Sequence, residues 1–145
     1  MANQTVEVGD KAPDFTLKDQ NRNEVKLSDY RGEKVVLSWH PLAWTGTCTL
    51  QMKDLGAHRQ DYEERGAVAL GMSVDTAPTK KAWAEDMGVE NTLLLADFWP
   101  HGKMAKKHGV LKKSGAKRPV FIIDKEGIVR WKKIYPARLY APIFL

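Results

Sequence analysis

Three apolar runs alternating with helix-like stretches constrain this chain more than any other feature. The runs are Lys34–Trp39, Ala67–Ser73 and Thr92–Ala96. Ala67–Ser73 is continuously apolar and reads as a strand buried on both faces, Thr92–Ala96 reads as another buried strand, and the β-rich Lys34–Trp39, which stops at Pro41, reads as a central one. Between the first two, from Thr45 to about Arg65, the composition turns helical, and Cys48, Met52, Leu55 and Tyr62 recur on one face. Gly66 is placed to end that helix. Pro78–Met87 reads as a second helix, with proline in its first turn and Gly88 at its end. Gly102–His108 reads as a short basic helix closed by Gly109.

Hairpins flank this core. Asp14–Lys18 and Glu24–Leu27 alternate apolar and polar around the turn residues 19–22, and Ser28–Gly32 gives a turn. Pro119–Ile123 and Ile128–Trp131 surround the four-residue loop Asp124–Gly127. The expected class is α/β: a central mixed sheet with helices on both faces and an N-terminal β-hairpin. No linker interrupts the chain, so one domain is expected over residues 1–145. The tail from Tyr135 carries two prolines and suggests no regular element.

Composition narrows the function classes. Five Trp, four Tyr and four Phe give 145 residues ample apolar area to bury, which excludes a disordered chain. No stretch approaches the roughly 20 apolar residues of a membrane span. The first eight residues lack the basic and apolar regions of a secretory signal. Cys48 is the only cysteine, so no intrachain disulfide can form and a reducing, cytoplasmic home is expected.

Cys48 falls where a strand gives way to a helix, in Pro41-Leu-Ala-Trp-Thr45-Gly-Thr-Cys48. Helix starts expose unpaired N–H groups and the positive end of the dipole. A free thiol, with pKa ~8.5, is a few per cent ionised at pH 7. Thiols at helix starts or beside cations fall to roughly 3.5–7.5. A lone cysteine is ordinarily a small buried hydrophobe. The strand-to-helix position, with a hydroxyl three residues earlier, points instead to a reactive thiol. Thr45 fits an N-cap, a hydroxyl aimed at the sulfur, or both.

These residues resemble the peroxiredoxin family, whose motif is Pro-x-x-x-Thr/Ser-x-x-Cys. The resemblance extends to Val8–Phe15, Leu27–Gly32, Val35–Leu37, Ser73–Asp75, Ala82-Trp83 and Arg118–Asp124. It implies a thioredoxin-like fold and reduction of hydroperoxides without a cofactor or metal. It makes Cys48 the peroxidatic nucleophile and gives Thr45 the peroxide. Pro41 would shield the sulfur, and Arg118 would add positive charge. Backbone N–H groups near Thr47 and Cys48 would join Thr45 and Arg118 in meeting charge on the departing oxygen. With no second cysteine, the implied type is one-Cys: Cys48 becomes a sulfenic acid, and an external thiol or redox protein restores it. Family members often pair as homodimers. Gln51 departs from the family's common Glu, and an amide cannot pair as an anion with Arg118. His40 and Trp44 replace residues that are often Tyr or Phe, and keep a planar wall.

Other readings fit less well. Trp44-Thr-Gly-Thr-Cys48 has the outline of a thioredoxin Trp-Cys-x-x-Cys, but a dithiol exchanger needs both sulfurs. Net charge is +5, and Lys103, Lys106, Lys107, Lys112, Lys113, Lys117 and Arg118 form an acid-free stretch. Such a run is ordinarily a solvated face, and no nucleic-acid motif accompanies it. His40, His58, His101 and His108 lack metal-ligand spacing. A cysteine hydrolase would need a histidine base, and only His40 is near in sequence.

Overall fold

The computed structural model describes residues 6–44, 46–89, 92–99, 101–112 and 115–135. The first hairpin pairs β1 (Thr16–Lys18) with β2 (Glu24–Lys26), placing Leu17 opposite Val25, the buried residue of each strand. Asp19 closes the turn by accepting the N–H groups of Asn21 and Asn23 at 2.8 and 3.0 Å. A 3-10 turn (Leu27–Tyr30) leads to β3 (Lys34–Trp39), α1 (Gly46–Ala57), α2 (Arg59–Glu64), β4 (Ala67–Ser73), α3 (Ala77–Met87), β5 (Leu93–Ala96) and α4 (Lys103–Lys107). The short strands β6 (Leu111–Lys112) and β7 (Gly115–Ala116) precede β8 (Arg118–Ile123) and β9 (Val129–Tyr135).

Seven strands form one sheet in the order β2-β1-β5-β4-β3-β8-β9. β3, β4 and β5 run parallel, while β8, β9 and the first hairpin are antiparallel to their neighbours. The sheet is therefore mixed. Side chains alternate across β3 with the period of two that a strand dictates. Val35, Leu37 and Trp39 enter a core with Phe15, Leu70, Met72 and Phe121. Val36 enters the other core, with Cys48, Met52, Leu55, Leu94 and Val120. The second core also takes in Tyr62 of α2 and Trp83, Ala84 and Met87 of α3. Gly71 allows the close approach there: a Cβ at this position would sit 2.6 Å from Met52 Sδ and 2.8 Å from Leu94 Cδ2.

The helix expected over residues 45–65 is two helices. His58 leaves the helical range at φ −101°, ψ 12°. Its backbone N–H and its ring Nδ1 both contact the Asp54 carbonyl, at 3.1 and 2.9 Å. α3 begins at Ala77, one residue before the expected start, and ends at Met87 as expected. Thr76 caps its start through the Thr79 N–H, and Gly88 ends it at φ 69°. The β6–β7 ladder was not foreseen, and β9 runs to Tyr135, beyond the expected Trp131. The tail after Tyr135 lies outside the described residues. Arg118 is buried and so leaves the basic stretch, whose Lys103, Lys106, Lys107 and Lys117 are exposed.

Candidate active site

The site lies where β3 ends and the chain crosses to α1. The His40 N–H donates to the Met72 carbonyl at 2.9 Å, which continues the β3–β4 ladder. Three residues on, the Ala43 N–H donates to Asp75 Oδ2 at 2.8 Å. The same oxygen accepts the Ser73 hydroxyl at 2.6 Å. Asp75 thus ties the crossing turn to the end of β4. Cys48 follows as the third residue of α1 and is fully buried. Pro41 and Thr47 are half-buried beside this turn, and Thr45 lies outside the described residues.

Arg118 arrives from the neighbouring strand. The β3–β8 register pairs Ser38 with Val120, which carries the first residue of β8 past the end of β3. Arg118 Nη1 donates to Cys48 Sγ at 3.5 Å and to Gln51 Oε1 at 2.5 Å. Gln51 Nε2 donates to Ser38 Oγ at 2.6 Å and to the Trp39 carbonyl at 2.9 Å. Gln51 forms no ion pair with Arg118, yet it links Arg118 to β3. An amide accepts from the guanidinium and donates to β3 at once, whereas a carboxylate has no N–H to donate.

Two further residues stand beside this cluster, one of them missed by the sequence reading. His40 is fully buried, with its ring centroid 5.0 Å from that of Trp83. The Trp83 indole N–H donates to Thr49 Oγ1 at 3.2 Å, next to Cys48 in sequence. Burial, then the charges of Lys80 and Arg118, hold the His40 imidazole well below its ordinary pKa. It is a neutral wall residue near pH 7. Lys80 was not foreseen. Its Nζ lies 3.3 Å from His40 Nε2, and the side chain is fully buried. Burial brings its pKa down to about 7, against the opposing pull of Asp75, Cys48 and Asp97. A signal for it was present. Lys80, Trp83, Ala84 and Met87 form an i, i+3, i+4, i+7 stripe, so the lysine sits on the apolar face of α3.

The arrangement offers a buried sulfur at a helix start with a guanidinium donor in contact. Guanidinium stays protonated and presents N–H groups in a fixed fork, so it stabilises negative charge on sulfur and on oxygen. A buried thiol with a cation in contact is an arrangement that nucleophilic cysteines share.

Comparison with known proteins agrees. The AhpC/TSA family model matches residues 8–132. Alkyl hydroperoxide reductase E of Mycobacterium tuberculosis is 42% identical over 130 residues, covering 88% of this chain and 84% of that protein. Peroxiredoxin-2 of Mus musculus is 38% identical over 141 residues, covering 90% and 70%. Among solved structures, the reduced 2-Cys peroxiredoxin of Plasmodium vivax is similar at a TM-score of 0.85 and 28% identity, covering 91% of this chain and 74% of that one. Peroxidoxin BcpB of Mycobacterium tuberculosis is similar at 0.83 and 27% identity, covering 89% and 86%. A mixed sheet with this strand order, a thiol at the start of α1 and these matches together place the chain, with its thioredoxin-like fold, in the AhpC/TSA family of peroxiredoxins.

Proposed function

We propose that this protein is a one-Cys thiol peroxidase that reduces hydrogen peroxide or organic hydroperoxides. The observation that carries the reading is the contact of Arg118 with both Cys48 and Gln51 at the start of α1. The Cys48 thiolate attacks the terminal peroxide oxygen. An S–O bond forms, the O–O bond breaks, and the departing oxygen leaves as an alcohol or water after taking a proton. Cys48 is then a sulfenic acid. An external thiol condenses with it to a mixed disulfide, and a second thiol releases Cys48 reduced.

In this mechanism Arg118 steadies negative charge on sulfur and then on the departing oxygen. Thr45 holds the peroxide by a hydroxyl that both donates and accepts. Backbone N–H groups at Thr47 and Cys48 add to it, and Pro41 keeps water from the sulfur. No cofactor, metal or nucleic acid enters the scheme. Among the described residues no helix is long and apolar enough to cross a membrane. A single domain over the chain, a homodimer and a cytoplasmic, reducing location complete the reading.

Stopped-flow mixing of the reduced protein with each hydroperoxide tests it, with tryptophan fluorescence as the signal. Trp39 and Trp44 are close in sequence to Cys48. A fluorescence change whose rate scales with peroxide concentration is expected, and Cys48→Ser is expected to abolish it. Peroxide turnover by the serine variant would refute the reading.

A further inference from the structure

Lys80 is shut off from solvent, and among the described residues its ammonium meets one hydrogen-bonding atom, His40 Nε2. None of the ion pairs among those residues includes it. A buried charge without a carboxylate is costly, and an apolar side chain of that length would ordinarily serve α3 better. Geometry sets Lys80 beside the thiol: His40, which it touches, packs on Trp83, and Trp83 shares a buried cluster with Cys48 and donates to Thr49, the next residue along α1. The charged groups that act on it are Cys48 on α1, Asp75 after β4 and Asp97 after β5, with Arg118 on β8 acting on His40. Both carboxylates are already engaged. Asp75 holds Ala43 and Ser73, and Asp97 accepts the N–H groups of Met104 and Ala105 at 3.0 and 2.8 Å. His40 is neutral, and toward an ammonium its Nε2 can only accept, so it orients Lys80 without competing as a cation. Of the anions in this field, the Cys48 thiolate alone is made and consumed in the reaction.

We propose that Lys80 is a second cation of the site, a positioning residue held by His40, which keeps Cys48 ionised and gives up its proton when the thiolate is consumed. The proposal rests on the thiol-peroxidase reading. The hydroperoxide is the oxidant. As the S–O bond forms and the O–O bond breaks, the departing oxygen takes up one proton and the Lys80 ammonium becomes an amine. Protein and products together then draw little proton from solvent. When Cys48 is reduced again, Lys80 regains its proton.

The test uses the full chain with Lys80→Met and Lys80→Gln, and Lys81→Met on the exposed side of α3 as the control for net charge. The first reading is ultraviolet thiolate absorbance against pH, with Cys48→Ser as the blank. Loss of a nearby buried cation is expected to move the thiolate titration up by roughly one unit in both Lys80 variants and to leave Lys81→Met at wild type. The second is proton uptake per sulfenic acid formed near pH 7, followed with an indicator dye in weak buffer. The wild type is expected to take up clearly less than one proton, and the Lys80 variants one. Titrations of both Lys80 variants that coincide with wild type would overturn the cation role, and equal proton uptake would overturn the release step. A thiolate that responds to Lys80 in a protein inert to peroxide would keep the cation and remove the peroxidase.

Discussion

Gln51 gives an oxygen to Arg118 and a nitrogen to Ser38 and the Trp39 carbonyl. Gln51→Glu is therefore not a mild change in this chain. Its carboxylate draws Arg118 away from Cys48 and leaves the Trp39 carbonyl without a donor, a loss of about 1–3 kcal/mol for the unpaired buried groups. The thiolate titration should move to higher pH and the melting temperature should drop. A variant that titrates as wild type would mean the amide only fills space. Arg118→Ala should slow peroxide attack, and Arg118→Lys should recover part of it, because an ammonium keeps the charge but not the rigid planar group that sets Nη1 between sulfur and amide. Full recovery by lysine would reduce the role of Arg118 to charge alone. Cys48 and Arg118 were legible in the sequence because they sit in motifs with fixed spacing. The role of Gln51 was half legible: its departure from Glu was visible, but the partners of its nitrogen depend on the pairing of β3 with β8. Lys80 was legible only as a position, since its stripe on α3 marks burial while its residue type suggests solvent.

At the scale of elements, the Asp75 carboxylate ties the turn after β3 to the end of β4. Asp75→Ala removes the acceptor of both Ala43 and Ser73. About 1–3 kcal/mol of stability should be lost. The oxidation rate should fall further than the melting temperature suggests, because the turn carries Pro41 and sets the start of α1. Thermal melts beside stopped-flow rates separate the two effects, and an unchanged rate would show that α1 holds its start without Asp75. The buried strands β3 and β4 were readable to the residue, because apolar runs end sharply at polar or turn residues such as Pro41. The break at His58 was not readable, since helical periodicity continues through it. The two-residue strands β6 and β7 are too short to carry a pattern. The pairing of β1 with β5 is a contact across more than seventy residues that no local signal encodes.

At the scale of the whole molecule, buried titratable groups set how stability varies with pH. Lys80 titrates at about 7 in the folded protein against an ordinary 10.5. Between those values the unfolded chain binds more protons, so raising the pH favours folding. His40 and His108 are both lowered from 6.5, chiefly by burial, and act in the same direction as pH rises toward that value. Tyr62 is raised by burial from 10.0 to about 12, so above pH 10 the unfolded chain loses its proton first and folding is disfavoured. The melting temperature should rise from about pH 6 to about pH 9 and fall beyond about pH 10. Lys80→Met should flatten the rise between about pH 7 and 9. A flat wild-type profile over that range would contradict the burial of Lys80. The nucleophile itself is tested most directly by treating the reduced protein with one equivalent of hydroperoxide, trapping sulfenic acid with a 1,3-dione and locating the adduct by mass spectrometry. One adduct per chain is expected, on Cys48, formed as fast as the peroxide disappears and absent from Cys48→Ser. Peroxide consumed without an adduct on Cys48, or consumed equally by the serine variant, would contradict the assignment of Cys48 as the nucleophile.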